Sequence, residues 1–171
     1  MATISEKALA EEVKQVVLFQ LIDENTKERE HFAAGIEQIK EIRVLDTITN
    51  IPQTPDHVTG VMNLRGKIIT IVDTKRKIGM PTSEQIKLDS HILVSEIEGN
   101  QIGLLVDEVA QVIQIPVKDI QPPPSHADNV KYVKGIIQIN KNLVLLIDLN
   151  ELLKHEVDLS KVLNKEKSEN V

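Results

Sequence analysis

Residues 60–74, GVMNLRGKIITIVDT, align without a gap with residues 135–149, GIIQINKNLVLLIDL. The leading glycines coincide, and so do the aspartates near the ends, although the two segments lie 75 residues apart. The same shift places VVLFQLID, from Val16, on HILVSEIE, from His91. A period this long that occurs only twice is not typical of a solenoid, which stacks several short units. It predicts two similar half-structures within one chain.

The central segments have the pattern of β-strands. Their apolar residues are mostly Ile, Val and Leu in short runs separated by turn residues. Turns are expected at residues 65–67, 98–100 and 140–142, because Gly and Asn tolerate the left-handed backbone of a tight hairpin. The sequence therefore predicts a mainly all-β fold with strands at about residues 16–22, 31–36, 39–45, 58–64, 68–73, 91–97, 101–106, 109–115, 133–139 and 143–147.

Short helical segments are expected beside the strands. Residues 3–14, TISEKALAEEVK, are predicted to form an N-terminal helix. Asp73 and Asp148 each follow an apolar strand and precede a stretch that can form a helical turn, which favours an N-cap role over catalysis. The polar tail from about Lys154 is expected to be frayed or weakly helical.

Composition narrows the classes of function. The chain has 171 residues, of which 41% are hydrophobic, enough for one core or two small cores in contact. Cysteine is absent, which excludes disulfides and fits a reducing compartment. No apolar run approaches the roughly 20 residues that span a bilayer, so a cytoplasmic location without membrane insertion is expected. A net charge of −6 and 2% aromatic residues argue against binding of nucleic acid.

The sequence shows no pattern of catalytic or metal-binding residues. It lacks a nucleophile elbow and a phosphate-binding glycine loop. The histidines lie apart, without the spacing of a metal site: His31, His57, His91, His126 and His155. Four carboxylates can in principle form an acid–base pair, although chance neighbours are expected among 26 acidic residues: Glu37, Glu41, Asp107 and Glu108. We expect a binding module without a cofactor; an enzyme and a small-barrel nucleic-acid binder remain the alternatives.

One stretch resembles a known family. IPQTPDHVTGVMNLRGKIITIVDTKRKIG, from Ile51, is similar to the signature of CheW-like domains, in which Gly-Val-x-Asn-Leu-Arg-Gly leads into an apolar strand and Asp-Leu-Arg. FQLIDE, IEQIKEI, IGLLVDEVAQVI and LIDLNELL follow in the order of that family. The resemblance covers about residues 15–155 and leaves 1–14 and 156–171 as terminal extensions. Three positions depart from the pattern, which usually has Leu, Arg and an apolar residue there: Thr74, Lys75 and His57.

The resemblance implies two pseudo-symmetric, five-stranded SH3-like β-barrels around a shared hydrophobic seam. The barrels would cover roughly residues 16–75 and 88–150 and can exchange segments near their ends. It also implies a non-enzymatic adaptor that couples transmembrane chemoreceptors to the histidine kinase CheA; the alternative is a regulatory scaffold of a non-chemotaxis chemosensory pathway. Because the chain stops at Val171, without room for a kinase or receiver domain, we expect the stand-alone adaptor, recruited to membrane-associated receptor arrays.

The resemblance further implies two contact surfaces. A groove between the barrels, walled by strands 58–64 and 109–115, would accept the helical tip of a methyl-accepting chemoreceptor through Ile39, Glu41, Val58, Arg65, Val109 and Val112. The end of the first barrel would contact the kinase through Ile42, Val44, Leu45, Asn63, Leu64, Arg65 and Gly66. A second kinase copy can meet the turn at 139–141 and close a ring. Core packing is the alternative for the apolar residues, and Arg65 is expected to clamp a carboxylate such as Glu41.

Overall fold

The computed structural model describes residues 12–124 and 130–156, which form ten strands and a few short helices. The strands are β1 (Val13–Ile22), β2 (Arg29–Gly35), β3 (Glu41–Val44), β4 (Val58–Leu64), β5 (Lys67–Asp73), β6 (His91–Ile97), β7 (Asn100–Val106), β8 (Glu108–Pro116), β9 (Val133–Ile139) and β10 (Asn142–Ile147). The α-helices are α1 (Thr74–Ile78) and α2 (Leu149–Leu153). Single 3-10 turns follow at Ile36–Gln38, Val117–Asp119 and Lys154–Glu156. The predicted all-β fold is confirmed.

The predictions for the helical segments are confirmed in part. Asp73 and Asp148 are N-caps, as predicted, since each carboxylate accepts two backbone N–H groups of the helix that follows. The helix predicted over residues 3–14 is wrong at its end, because Val13 and Lys14 pair with β8 in a sheet. The sheet takes the backbone hydrogen bonds that a helix would need. The rest of that prediction, residues 3–11, and most of the tail lie outside the described residues.

The ten strands form two sheets of five. One sheet has the order β8-β1-β2-β10-β9, and the other has the order β3-β6-β7-β5-β4. In the sequence repeat, strands β1 to β5 correspond in turn to β6 to β10. Exchanging each strand for its counterpart converts the order of one sheet into the order of the other. The internal repeat is therefore present in the topology. Each sheet closes through a backbone bridge, Gln121 to Ile136 in the first and Thr49 to Val61 in the second. We call the first sheet barrel I and the second barrel II.

The barrels do not follow the two halves of the sequence. Barrel II is continuous from β3 to β7, whereas barrel I combines β1 and β2 with β8, β9 and β10. The predicted ranges 16–75 and 88–150 therefore each supply strands to both barrels. The cause is parallel pairing across the halves, β10 with β2 and β5 with β7. The chain passes from one barrel to the other at residues 36–40 and again at Asp107, and we call these two segments the crossovers.

The core has three parts. Each barrel has its own interior, built around Val16, Ala33 and Leu146 in barrel I and around Ile69, Ile71 and Ile92 in barrel II. The third part, the seam, lies between the barrels and takes residues from both: Phe19, Leu21, Phe32, Ala34, Val72, Leu93, Ile97, Ile102, Leu104, Val106, Ile147, Leu149, Leu152 and Leu153. The central strands bury both faces, which explains their nearly continuous apolar runs.

Gly60 and Gly135 occupy matching places where the barrels close. A Cβ at Gly60 would lie 2.2 Å from the carbonyl oxygen of Thr49, one of the residues that form the closing bridge of barrel II. A Cβ at Gly135 would lie 2.9 Å from the carbonyl oxygen of Gln121 in the bridge of barrel I. Gly60 also has φ of 152°, where L side chains are strained. The repeated glycine is therefore required by closure of the barrel.

We expect Gly60→Ala to destabilise the protein by at least about 2 kcal/mol, because the added methyl group collides with backbone in a strained conformation. The matched control is Gly99→Ala, which also has a positive φ of 81° but has no atom within 4 Å of the added Cβ. Its cost should be about 1 kcal/mol, from conformation alone. Urea unfolding measures both, and equal losses would contradict the closure argument.

Candidate functional site

The turn between β4 and β5 presents Arg65 at the end of barrel II. Arg65 and Gly66 have φ of 52° and 83°, the pair of left-handed residues that a tight hairpin needs. The side-chain oxygen of Asn63 accepts the backbone N–H of Gly66 at 2.9 Å and fixes the turn. The matching turn of barrel I has positive φ at Asn140 and Lys141. Arg65 is thus held on a rigid turn with its side chain 75% exposed.

Arg65 clamps Glu41, as predicted. Its Nη1 lies 3.2 Å from Glu41 Oε2, and its Nη2 donates to Oε1 at 3.4 Å. Arg43 donates to the same Oε1 at 3.2 Å. An exposed pair of this kind adds about 0–1 kcal/mol to stability. The clamp therefore orients the guanidinium more than it stabilises the fold.

The residues predicted to contact the kinase all belong to barrel II. Ile42 and Val44 on β3 are 41% and 61% exposed. Leu45 is half-buried and packs against the interior of barrel II, whereas Leu64 is 2% exposed and belongs to that interior. Asn63 and Gly66 are exposed in the Arg65 turn. A partner can reach the β3 residues and the turn directly, while Leu64 can act only by supporting them.

The residues predicted to contact the receptor are divided between the barrels. Ile39 and Val109 are half-buried and pack against the rim of the seam. Val112 on β8 is 49% exposed and pairs with Val17, on the face of β1 that carries Phe19 into the seam. Glu41 and Arg65 lie in barrel II, where Val58 is 6% exposed and is not available to a partner. The accessible members thus lie at the seam rim of barrel I and on the outer end of barrel II.

The four carboxylates considered for acid–base chemistry do not pair with one another. Each has its own cation: Lys14 at 3.1 Å for Glu37, Arg65 at 3.2 Å for Glu41, Lys75 at 3.0 Å for Asp107, and Arg29 for Glu108. This is the arrangement of structural ion pairs. Within residues 12–124 and 130–156, no group of three histidine or acidic side chains could hold a metal ion; His126 lies outside these residues.

A buried ion cluster, which the sequence analysis did not predict, joins the two barrels. The ammonium of Lys75 in α1 lies 3.0 Å from Asp107 Oδ2 and 3.2 Å from Glu24 Oε1, and it donates to the carbonyl oxygen of Ile22 at 3.2 Å. The side chains of Lys75, Asp107 and Glu24 are only 10%, 6% and 11% exposed. The only signal in the sequence was the departure of Lys75 from the family pattern.

Two further polar contacts join the barrels. The amide of Gln38, in the first crossover, donates to Asp148 Oδ1 at 2.8 Å and accepts the N–H of Leu149 at 2.9 Å, and the carbonyl oxygen of Gln38 accepts the hydroxyl of Ser95 in barrel II at 2.7 Å. Glu156, beyond α2, is buried, and its Oε1 lies 2.7 Å from His57 Nε2 and 2.8 Å from Lys77 Nζ. His57, which departs from the family signature, therefore has a carboxylate partner, Glu156, near the end of the described chain.

The carboxylates of these clusters differ in pKa. Lys27, Lys75 and Lys87 together lower the pKa of Glu24 to about 2, against the opposing effect of burial. Burial raises the pKa of Asp73, although the N–H groups of Arg76 and Lys75 and the charges of these two side chains oppose it. Glu24 is thus held ionised by three cations, whereas the N-cap of α1 is desolvated.

These features define a two-barrel β-protein whose polar side chains serve ion pairs and caps and whose exposed apolar residues are available for protein contacts. A CheW-like domain model matches residues 15–157. The chain is 29% identical to chemotaxis protein CheW of Rhizobium meliloti over 90% of this chain and 96% of the relative. It is 33% identical to chemotaxis protein CheW of Helicobacter pylori, over 85% of each chain. The chain belongs to the CheW-like family.

A solved structure agrees with this assignment. The scaffolding protein TtCheW from Thermoanaerobacter tengcongensis superposes with a TM-score of 0.72 and 34% sequence identity, over 83% of this chain and 93% of that one. The predicted pair of SH3-like barrels is thereby confirmed. None of the helices in the described part of the chain has the length and apolar character to cross a membrane.

The cations around Glu24 should make stability depend on pH. Because the pKa of Glu24 falls from 4.5 to about 2 on folding, its contribution is complete above about pH 5 and is lost as the pH falls toward 2. Glu24→Gln should therefore destabilise the protein at pH 7 by on the order of 1–2 kcal/mol, with a smaller loss at pH 3. Urea unfolding at both pH values measures the difference. The control is Glu28→Gln, an exposed glutamate of the same hairpin; a loss that did not shrink at pH 3 would contradict the argument.

Proposed function

We propose that this protein is a non-enzymatic adaptor that couples chemoreceptors to the histidine kinase CheA in chemotaxis signalling. The observation that carries the proposal is the distribution of exposed apolar residues in a CheW-like fold. Ile42 and Val44 are exposed on barrel II, and Val112 is exposed on barrel I at the rim of the seam. Exposed apolar residues at separate places can bind two partners at once, which is what an adaptor requires.

The receptor is proposed to bind in a groove at the rim of the seam. An amphipathic helical tip would place apolar residues against Val109 and Val112, while its polar residues would face the rim. Val112 is the stronger anchor, because it is half-exposed and would be desolvated in the complex. Ile39 packs against the seam, so it would shape the groove from below.

The kinase is proposed to bind the outer end of barrel II. Ile42 and Val44 of β3 supply apolar area there, and the guanidinium of Arg65, held by Glu41 of the same strand, supplies a directed charge. The regulatory domain of the kinase is itself expected to be CheW-like, so the contact would join one barrel to another. The equivalent turn of barrel I, with Asn140 and Lys141, would meet a second kinase copy in a ring.

The adaptor is proposed to work in the cytoplasm at membrane-associated receptor arrays, without inserting into the membrane. It would hold receptor tip and kinase in a fixed geometry and supply no chemistry itself. The test is reconstitution of a ternary complex from the purified protein, a receptor tip and CheA. Binding to the kinase of another chemosensory pathway in place of CheA would favour the regulatory scaffold of a non-chemotaxis pathway.

Val112→Asp should leave folding intact and weaken binding of the receptor tip by tenfold or more. In the free protein the new carboxylate stays in water, whereas in the complex it would be desolvated without a partner, a penalty of at least about 2 kcal/mol. Leu143→Asp is the matched control, since Leu143 is also in barrel I and is 67% exposed. Thermal melts and calorimetric titration decide, and unchanged receptor affinity would mean that the groove lies elsewhere.

Arg65→Ala should weaken assembly with the kinase while the melting temperature stays close to wild type. The exposed pair with Glu41 contributes about 0–1 kcal/mol to stability, but the directed guanidinium would be lost from the contact surface. The control is Lys154→Ala, which breaks an exposed pair with Glu151 away from this end of barrel II. The yield of ternary complex is the measurement, and equal yields for both variants would remove Arg65 from the site.

A further inference from the structure

The two barrels are held together mainly by an apolar seam, and such a contact is weakly directional. Buried apolar area alone does not specify one angle between the barrels, and directional polar contacts select among the angles that close packing allows. Among residues 12–124 and 130–156, three such contacts are centred on Lys75, Gln38 and Glu156.

Lys75 makes the most direct of these connections. It belongs to α1 of barrel II, yet two of its three acceptors, Ile22 and Glu24, belong to the first hairpin of barrel I. The third acceptor, Asp107, is the whole of the second crossover. An ammonium has three N–H donors, so this site uses all of them.

Other bonds around Lys75 tie the same two elements. Asp107 accepts the backbone N–H of Ile22 at 2.8 Å, so both backbone groups of that residue are taken by this cluster. The N–H of Glu24 donates to the carbonyl oxygen of Pro81 at 3.3 Å, and Lys87 lies 3.2 Å from the Glu24 carboxylate. The first hairpin of barrel I is thereby attached to α1 and the following loop of barrel II.

A buried ion pair often adds little net stability, because desolvation of both charges offsets their attraction. Its geometry is nevertheless specific, since any other arrangement leaves a charge buried without a partner. The position of the cluster makes this specificity relevant to binding. Asp107 directly precedes β8, the strand that carries Val109 and Val112.

We propose that Lys75 is a positioning residue for receptor binding, because its ammonium sets the orientation of barrel I, and of β8 with it, relative to barrel II. The inference rests on the proposed adaptor function. The receptor residues that the family resemblance implies lie in both barrels, Val109 and Val112 in barrel I and Glu41 and Arg65 in barrel II, so receptor affinity depends on the angle between the barrels. Each proposed kinase contact lies within a single barrel, at the outer end of barrel II or at the Asn140 turn of barrel I, so the affinity of each contact does not depend on that angle. Lys75 thus acts on one partner selectively without touching either.

The test is the double variant Lys75→Met/Asp107→Asn. It removes both charges together, and the amide oxygen at 107 can still accept the N–H of Ile22. We expect receptor-tip affinity to fall about tenfold or more while affinity for the kinase regulatory domain stays within about twofold. Lys75→Arg keeps a cation and should retain wild-type affinity for both. Lys27→Gln is the matched control, because Lys27 pairs with the same Glu24 within the hairpin.

Residual dipolar couplings of backbone amides provide a readout that is independent of the partners. Fitted separately to each barrel, they should give one common orientation in the wild type and a changed relative orientation in the double variant. An unchanged barrel orientation, an unchanged receptor affinity, or equal losses for both partners would overturn the inference. If the double variant does not fold, Glu24→Gln replaces it, with the same readouts and a smaller expected receptor loss. If the wild type binds neither partner, the proposed function fails, and the couplings still decide whether Lys75 orients the barrels.

Discussion

The apolar seam between the barrels is the constraint on which the rest of the structure depends. The central strands of both sheets bury one face in their own barrel and the other face in the seam. Neither barrel therefore has a solvent-exposed sheet face at the seam. Phe19 and Phe32 of barrel I stack with ring centroids 5.6 Å apart and share this cluster with Leu93 and Leu104 of barrel II. Separating the barrels would return all of this apolar area to water. We therefore expect the chain to unfold as one unit although its topology contains two closed sheets.

Polar side chains help to set the angle between the barrels, which the apolar seam does not specify alone. Both crossovers carry a polar side chain that contacts the helix following β5 or β10: Asp107 pairs with Lys75 of α1, and Gln38 bonds to the start of α2. Glu156, at the end of the described chain, likewise contacts His57 and Lys77 of barrel II. Two of the three departures from the family signature, Lys75 and His57, lie in these contacts. Both of these residues therefore take part in inter-barrel contacts.

The surfaces left for partners follow from the same division. Ile39 is half-buried and Val58 is buried, whereas Ile42, Val44 and Val112 are exposed on β3 and β8, the first strands in the order of their sheets. Exposed apolar residues are a liability in a protein that works alone, because they favour association with other chains. In an adaptor they are the means of binding. The Arg65 turn, fixed by Asn63 and Glu41, adds a charged contact of defined direction at the end of barrel II.

The sequence by itself determined the local structure. The positions of the ten strands, the N-caps at Asp73 and Asp148, the hairpin turns and the repeat could be predicted, because strand patterning, capping and turn chemistry depend on neighbouring residues. Even the Arg65–Glu41 pair was predicted, with help from the family resemblance. Only the tertiary structure decided that β5 pairs with β7 and β10 with β2, which interleaves the barrels, and that Lys75 meets Ile22, Glu24 and Asp107. These contacts join residues far apart in sequence. Which residues become partners depends on which faces pack together at the seam. The residue pattern within one segment carries no information about that packing.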